Sequence, residues 1–344
     1  MSKVTHMRGM QLMRVIFLLA LVGRCLAGDG ALYPLYRSED GGGSWSRSDS
    51  GLPGEARINA LAESEGRVVA GTDAGIFVSE DLGKRWTKSE ITGTKSVRVV
   101  VTLASVGGRC FAAANRDRTL LVSTNGGKNW VPSENFPRKL IRCLFSHQGV
   151  VYAGMDVDGV YRSKDLGRTW EKVADGLPAS SQVLAFTTVE GHVFAGLYAK
   201  GIFKLGPGEE WTQMGAEEGI KPLVLTSVGG TVIAGHNPGG IYASDDLGRS
   251  WRRWQGENRF QETTTPLNSA FGQFGVSLEA PIWEMGSSGR MAFAGAADGI
   301  FYSEDLGRSW TRATKGLPVV SPGVAFLVRS NVVLAATLTK HRTR

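Results

Sequence analysis

The chain has 344 residues, 42% of them hydrophobic, with 46 glycines and a formal net charge of +7. Its basic excess lies at the two ends: Lys3, Arg8, Arg14 and Arg24 fall within the first 27 residues, and Lys340, Arg342 and Arg344 close the chain. The body between them is near neutral, which excludes a nucleic-acid footprint, since that would need basic residues massed on one face. Residues 28–338 contain no sustained helical periodicity and no low-complexity linker, and about 310 residues exceed one ordinary core, so the pattern favours a fold that adds modules.

In chain order, residues 1–27 read as an export signal: a basic start, the apolar run VIFLLALVG (15–23), and CLA (25–27) with cleavage near Ala27. Nine apolar residues are too few to span a bilayer, and Arg24 before Cys25 argues against a lipid anchor. The expected location is therefore periplasmic or extracellular. Two cysteines remain after cleavage, Cys110 and Cys143, and export leaves two readings open: one disulfide, or two buried thiols.

From residue 38 onward one octet recurs: SEDGGGSW (38–45), SEDLGKRW (79–86), STNGGKNW (123–130), SKDLGRTW (163–170), SDDLGRSW (244–251) and SEDLGRSW (303–310), with a shortened LGPGEEW ending at Trp211. The closing residues Trp45, Trp86, Trp130, Trp170, Trp211, Trp251 and Trp310 are spaced 41, 44, 40, 41, 40 and 59 apart. A period near 40 with several short strands marks a propeller blade. RINALAESEGRVVAGTDAGIFVSEDLGKRW (57–86) shows the grammar: strand INALA, a turn at SEG, strand RVVAG, a loop TDA, strand GIFVS, the octet, and a fourth strand from Trp86.

The octet has a physical logic. Ser and Asp two apart, such as Ser303 and Asp305, place side-chain oxygens where they accept backbone N–H groups of a tight turn. Gly307 permits positive φ, and the Trp anchors the hairpin between blades. Seven copies of one catalytic centre are far less expected than seven copies of one turn, so Asp40, Asp81, Asp165, Asp246 and Asp305, together with the tryptophans, are read as scaffold.

The pattern S-x-D-x-G-x-[ST]-W resembles the Asp-box, or bacterial neuraminidase, repeat, over essentially all of residues 32–338. Families sharing it include sialidases, xyloglucan-degrading glycosidases, the sortilin ectodomain and the photosystem II stability/assembly factors. The resemblance implies an all-β, seven-bladed propeller with four-stranded antiparallel blades, in which the box is structural and remote from the functional face. The chain starts with third and fourth strands (LYPLYRS and the octet to Trp45) and ends with first and second strands (324–330 and 331–337), so the termini should share one blade. Residues 339–344 form a basic tail, and a monomer is expected.

Functional residues are expected opposite the octets, on the loops between second and third strands. Asp73, Asp117, Asp156, Asp158 and Asp298 fall there and are the candidates for acid and base if the protein is a glycosidase. His236 falls in another such loop. Residues 252–281 form an insertion that accounts for the 59-residue spacing and supplies Arg252, Arg253, Trp254, Arg259 and Phe260 as binding candidates, or else a lid over the channel. The sialidase F-R-I-P signature is missing: ARIN (56–59) keeps only Arg57 and Ile58. No metal-ligand, nucleotide or nucleophile-elbow motif occurs, so neither cofactor nor metal is expected. The leading reading is an exported, non-catalytic propeller that binds a protein or glycan; the alternative is a glycoside hydrolase, with sialidase the less favoured kind.

Overall fold

The computed structural model describes residues 31–340 apart from 95–96, 98, 115–117, 216–218, 237–238, 254–280, 297–298 and 319–322. Seven sheets, each built on four antiparallel strands, form the blades of a propeller. Blade 1 runs Ile58–Ser64, Arg67–Thr72, Gly75–Ser79 and Thr87–Lys88 from the inner strand to the outer. The inner strands of blades 2 to 6 are Val100–Val106, Ile141–His147, Val183–Val189, Pro222–Val228 and Ile282–Ser288. In blade 7, Gly323–Arg329 and Val332–Thr337 pair with Leu35–Ser38 and Ser46–Arg47, so both ends of the chain share one sheet as the sequence implies. Each inner strand packs on the inner strand of both neighbours, and the series closes from blade 7 onto blade 1.

The second strands explain the packing. RVVAGT, HVFAGL and MAFAGA carry large side chains first and then Ala-Gly, and every residue after the first is buried. The small pair lets the next inner strand approach: a Cβ on Gly71 would stand 2.6 Å from Val100, and one on Gly235 2.8 Å from Ile282. Seven clusters of buried apolar residues result, one between each pair of neighbouring sheets, as with Val69, Ile76, Val100, Leu121 and Trp130 between blades 1 and 2.

The octet clamps blade to blade. Ser303 Oγ donates to Asp305 Oδ1 at 2.8 Å and accepts the Gly307 N–H at 2.8 Å, while Asp305 accepts the Ser309 N–H at 2.8 Å and its hydroxyl at 2.6 Å. Gly307 has φ +76°, and a Cβ there would sit 2.6 Å from Ile233 of the preceding blade. Trp251 Nε1 donates to Gly248 O at 3.1 Å, closing the same turn in blade 5.

Three features extend or correct the sequence reading. The first strand breaks at Tyr33–Pro34: Ala31–Leu32 pairs with Thr339–Lys340, two residues past the expected end of the domain, before Leu35–Ser38 begins. Glu90–Ile91 adds a parallel strand to the outer edge of blade 2. Cys110 and Cys143 are free thiols, so the disulfide option fails. The reason is placement: Cys110 pairs with Ser123 at the octet end of its sheet, whereas Cys143 lies at the opposite end of an inner strand.

Candidate functional site

The octets share a face with the turns between first and second strands: a Cβ on turn residue Gly229 would meet octet Leu306 at 2.5 Å, and one on Gly107 would meet Leu166 at 3.2 Å. Neighbouring octets are tied by charge on that face, as in Lys128–Glu80 at 2.6 Å and Lys164–Glu209 at 3.1 Å. Arg252 belongs here as well, since it pairs with octet residue Asp245 at 3.2 Å. It therefore points away from the face on which the sequence reading had grouped it with Arg253.

The opposite face is built in three concentric rings. The innermost arises from a β-bulge near the start of every inner strand, where the register skips one residue. The skipped residues are Asn59, Val101, Arg142, Leu184, Leu223, Trp283 and Val324, and bulges of this kind re-aim a side chain. Next in each strand come Ala60, Thr102, Cys143, Ala185, Val224, Glu284 and Ala325. Glu284 is the single charged member of that second set. Burial pushes its carboxyl up to about 7, opposed by one hydrogen bond from the Met285 N–H at 3.3 Å.

The middle ring is the loops between second and third strands. Asp73 accepts the Arg57 N–H at 2.9 Å, and burial raises its carboxyl above the ordinary value against that bond. Arg57 itself is lowered by burial, and its Nε is buried with no partner among the described residues. In blade 3, Asp156 pairs with the bulge residue Arg142 at 2.6 Å and accepts a bond from Gln182. Asp158 pairs with Lys139, with Lys172 at 2.7 Å and with the Tyr161 hydroxyl at 2.8 Å. Lys139 first and Lys172 second hold its carboxyl well below the usual carboxylate range. His236 accepts the Lys221 N–H on Nδ1 at 2.9 Å, and burial, then Arg253 and Lys221, lower its imidazole. It is therefore neutral at physiological pH.

The outer ring was not anticipated. Two residues after the octet Trp stand Arg47, Lys88, Lys172, Arg253 and Arg312, each paired across strands with an aromatic at one third-strand position: Tyr36, Phe77, Tyr161, Tyr242 and Phe301. These cations lie beside the middle-ring loops: a Cβ on Gly75 would meet Lys88 at 3.7 Å, one on Gly240 Arg253 at 3.2 Å, and one on Gly299 Arg312 at 3.0 Å. Aligning the seven octets two residues further would have exposed this pattern.

The candidates are thus only partly gathered. Asp156 and Asp158 share a loop, Asp73 lies two blades away, and all three are engaged as described. Asp117, Asp298, Trp254, Arg259 and Phe260, the bulk of the 252–281 insertion, the 1–27 segment and residues 341–344 lie outside the described residues. Among the described residues no group of three or more His, Cys, Asp or Glu is placed to hold a metal, and no helix is long and apolar enough to cross a membrane.

A family model described as the DUF6242 beta propeller domain matches residues 24–157. No curated protein matches the chain. Among solved structures, YCF48 from Cyanidioschyzon merolae is similar with TM-score 0.59 at 13% identity, over 83% of this chain and 96% of that one. A structure of YCF48 bound to D1 peptide is similar with TM-score 0.59 at 16% identity, over 82% of this chain and 93% of that one. The GH74 xyloglucanase from Xanthomonas campestris gives TM-score 0.59 at 15% identity over 90% of this chain, which spans only 57% of that enzyme. At such identities the likeness establishes the seven-bladed propeller and not an activity.

Proposed function

We propose that the protein is an exported, non-catalytic propeller that binds a segment of a protein partner on the face opposite the octets. The observation that carries this reading is the charge arrangement there. The described loop aspartates are engaged in ion pairs or hydrogen bonds, while Arg47, Lys88, Lys172, Arg253 and Arg312 recur as cross-strand neighbours of aromatic residues, Arg47 also pairing with Asp49 and Lys172 with Asp158. Glycoside hydrolysis uses two carboxyl groups facing each other across the scissile bond, about 5–10 Å apart, one of them a proton donor. Asp158 is locked as an anion between two lysines, and Asp73 and Asp156 sit in blades 1 and 3 with blade 2 between. Arg and aromatic residues, by contrast, are the side chains that anchor protein interfaces.

The fold likeness to YCF48, one structure of which holds a D1 peptide, supports a peptide-binding use of such a ring, and the likeness to a xyloglucanase keeps the glycosidase alternative in view. The 252–281 insertion, with Trp254, Arg259 and Phe260, is proposed as a further recognition element, and cleavage near Ala27 as the route to the periplasm or the exterior. The test uses the mature chain to capture partners from an extract of its source cells and, separately, to act on xyloglucan and mixed β-glucans. Lys88→Glu with Arg253→Glu should weaken partner capture about tenfold or more with the melting temperature unchanged. Reducing ends released by the wild type and lost with Asp156→Asn or Asp158→Asn would replace this reading with the glycosidase.

A further inference from the structure

We propose that Glu284, at the loop end of the inner strand of blade 6, binds one ammonium or guanidinium group, a lysine or arginine side chain of the partner, an inference that rests on the protein-partner reading above. In the six other blades the equivalent residue is Ala60, Thr102, Cys143, Ala185, Val224 or Ala325, so the fold itself has no use for a carboxyl there. Glu284 faces Gly295 across the sheet, one step from the loop end, and a Cβ on Gly295 would collide with Gly323 O, so this end of the sheet abuts the start of the inner strand of blade 7. Its bulge neighbour Trp283 holds the position that Leu223 and Val324 hold in the adjacent inner strands.

The strands packed against it are Pro222–Val228, Thr231–His236, Met291–Ala296 and Gly323–Arg329. Their titratable groups are His236 and Arg329. Arg329 is occupied with Glu63 at 3.2 Å near the octet end, and His236 is neutral with Nδ1 engaged by the N–H of Lys221, whose exposed side chain precedes the first of these strands. Among the described residues Glu284 therefore has one hydrogen bond, from the adjacent Met285 N–H at 3.3 Å, and no cation. A carboxyl in such surroundings is costly to ionise, and a cation arriving from outside supplies the missing counter-charge. The rings then read a charge pattern: acidic residues against the outer cations, one base at the inner strand of blade 6.

The experiment uses immobilised peptides with randomised flanks whose central residue is lysine, arginine, glutamine or glutamate. At pH 8 the wild type should retain lysine and arginine peptides about tenfold better than glutamine peptides. Burial raises the Glu284 carboxyl to about 7, so the preference should fade at pH 5.5, where it is neutral. Glu284→Gln should lack the preference at both pH values while binding the glutamine peptides as the wild type does. A wild type with no preference for a central base, or a preference that survives Glu284→Gln, overturns this proposal alone. Binding to no peptide of any kind overturns the protein-partner reading and this proposal with it.

Discussion

Asp305 accepts the N–H and hydroxyl of Ser309 and the Ser303 hydroxyl, so Asp305→Ala strips several acceptor contacts from one turn. A loss of about 1–3 kcal/mol in urea unfolding is expected, with partner binding by the folded protein unchanged. Full stability with lost binding would instead make the octet a recognition element. The octet acids also set a pH dependence. The Thr169 hydroxyl chiefly holds Asp165 at about 2, and at Asp246 the bonds from Ser250 and Ser244 outweigh burial to the same value. Carboxyls lowered by folding contribute stability that is present above their unfolded value and lost as pH falls through the folded one. Melting temperature should therefore drop steeply between about pH 4 and pH 2. Glu284 has the opposite sign. Raised from 4.5 to about 7, it stabilises fully at low pH and loses that contribution as pH rises to 7. Glu284→Gln should be more stable than the wild type at pH 8, on the order of 3 kcal/mol, and equal to it near pH 4. An equal difference at both pH values would show that the carboxyl is not strained by burial.

At the scale of elements, the octets and the Ala-Gly second strands were plain in the sequence because they repeat, and repetition made strand order, blade count and closure readable. The inner-strand bulges were not, since an inserted residue such as Trp283 or Arg142 sits inside a strand-like stretch, IWEMGSS or IRCLFSH, and is revealed only by pairing. Blindness to bulges also hid Glu284: without the register, WEMG at 283–286 reads as an ordinary strand. The loop aspartates were found by position, but their pairing with Lys139, Lys172 and Arg142 depends on connections from neighbouring strands that no local pattern encodes. Arg252 and Arg253 illustrate the same limit, since adjacent strand residues face opposite ways: one meets Asp245 on the octet side and the other lies beside Gly240. The octet glycines carry an element-level prediction. Gly307→Ala should destabilise by about 1–3 kcal/mol, because φ +76° disfavours a side chain and Ile233 would lie 2.6 Å from the new methyl. A neutral substitution would mean that blade 6 shifts freely against blade 5.

At the scale of the whole molecule, closure is made by one sheet drawn from both ends of the chain, Val332–Thr337 bonded to Leu35–Ser38. Deleting residues 324–344 removes its two inner strands and leaves the edge of Leu35–Ser38 unpaired, so the truncated chain should lose soluble monomer. Unchanged melting and solution mass would contradict closure by that sheet. The ring so closed presents two unlike faces. One is stitched by octet-to-octet ion pairs such as Lys128–Glu80, and the other carries the three rings of bulge residues, loop groups and outer cations. The central claim is that the partner reads the second face. The most direct measurement compares partner affinity for two folded variants of matched charge change, Lys88→Glu/Arg253→Glu on the ringed face and Lys84→Glu/Lys128→Glu on the octet face. A loss of about tenfold or more is expected for the first pair and less than about twofold for the second; the reverse order would place the partner on the octet face.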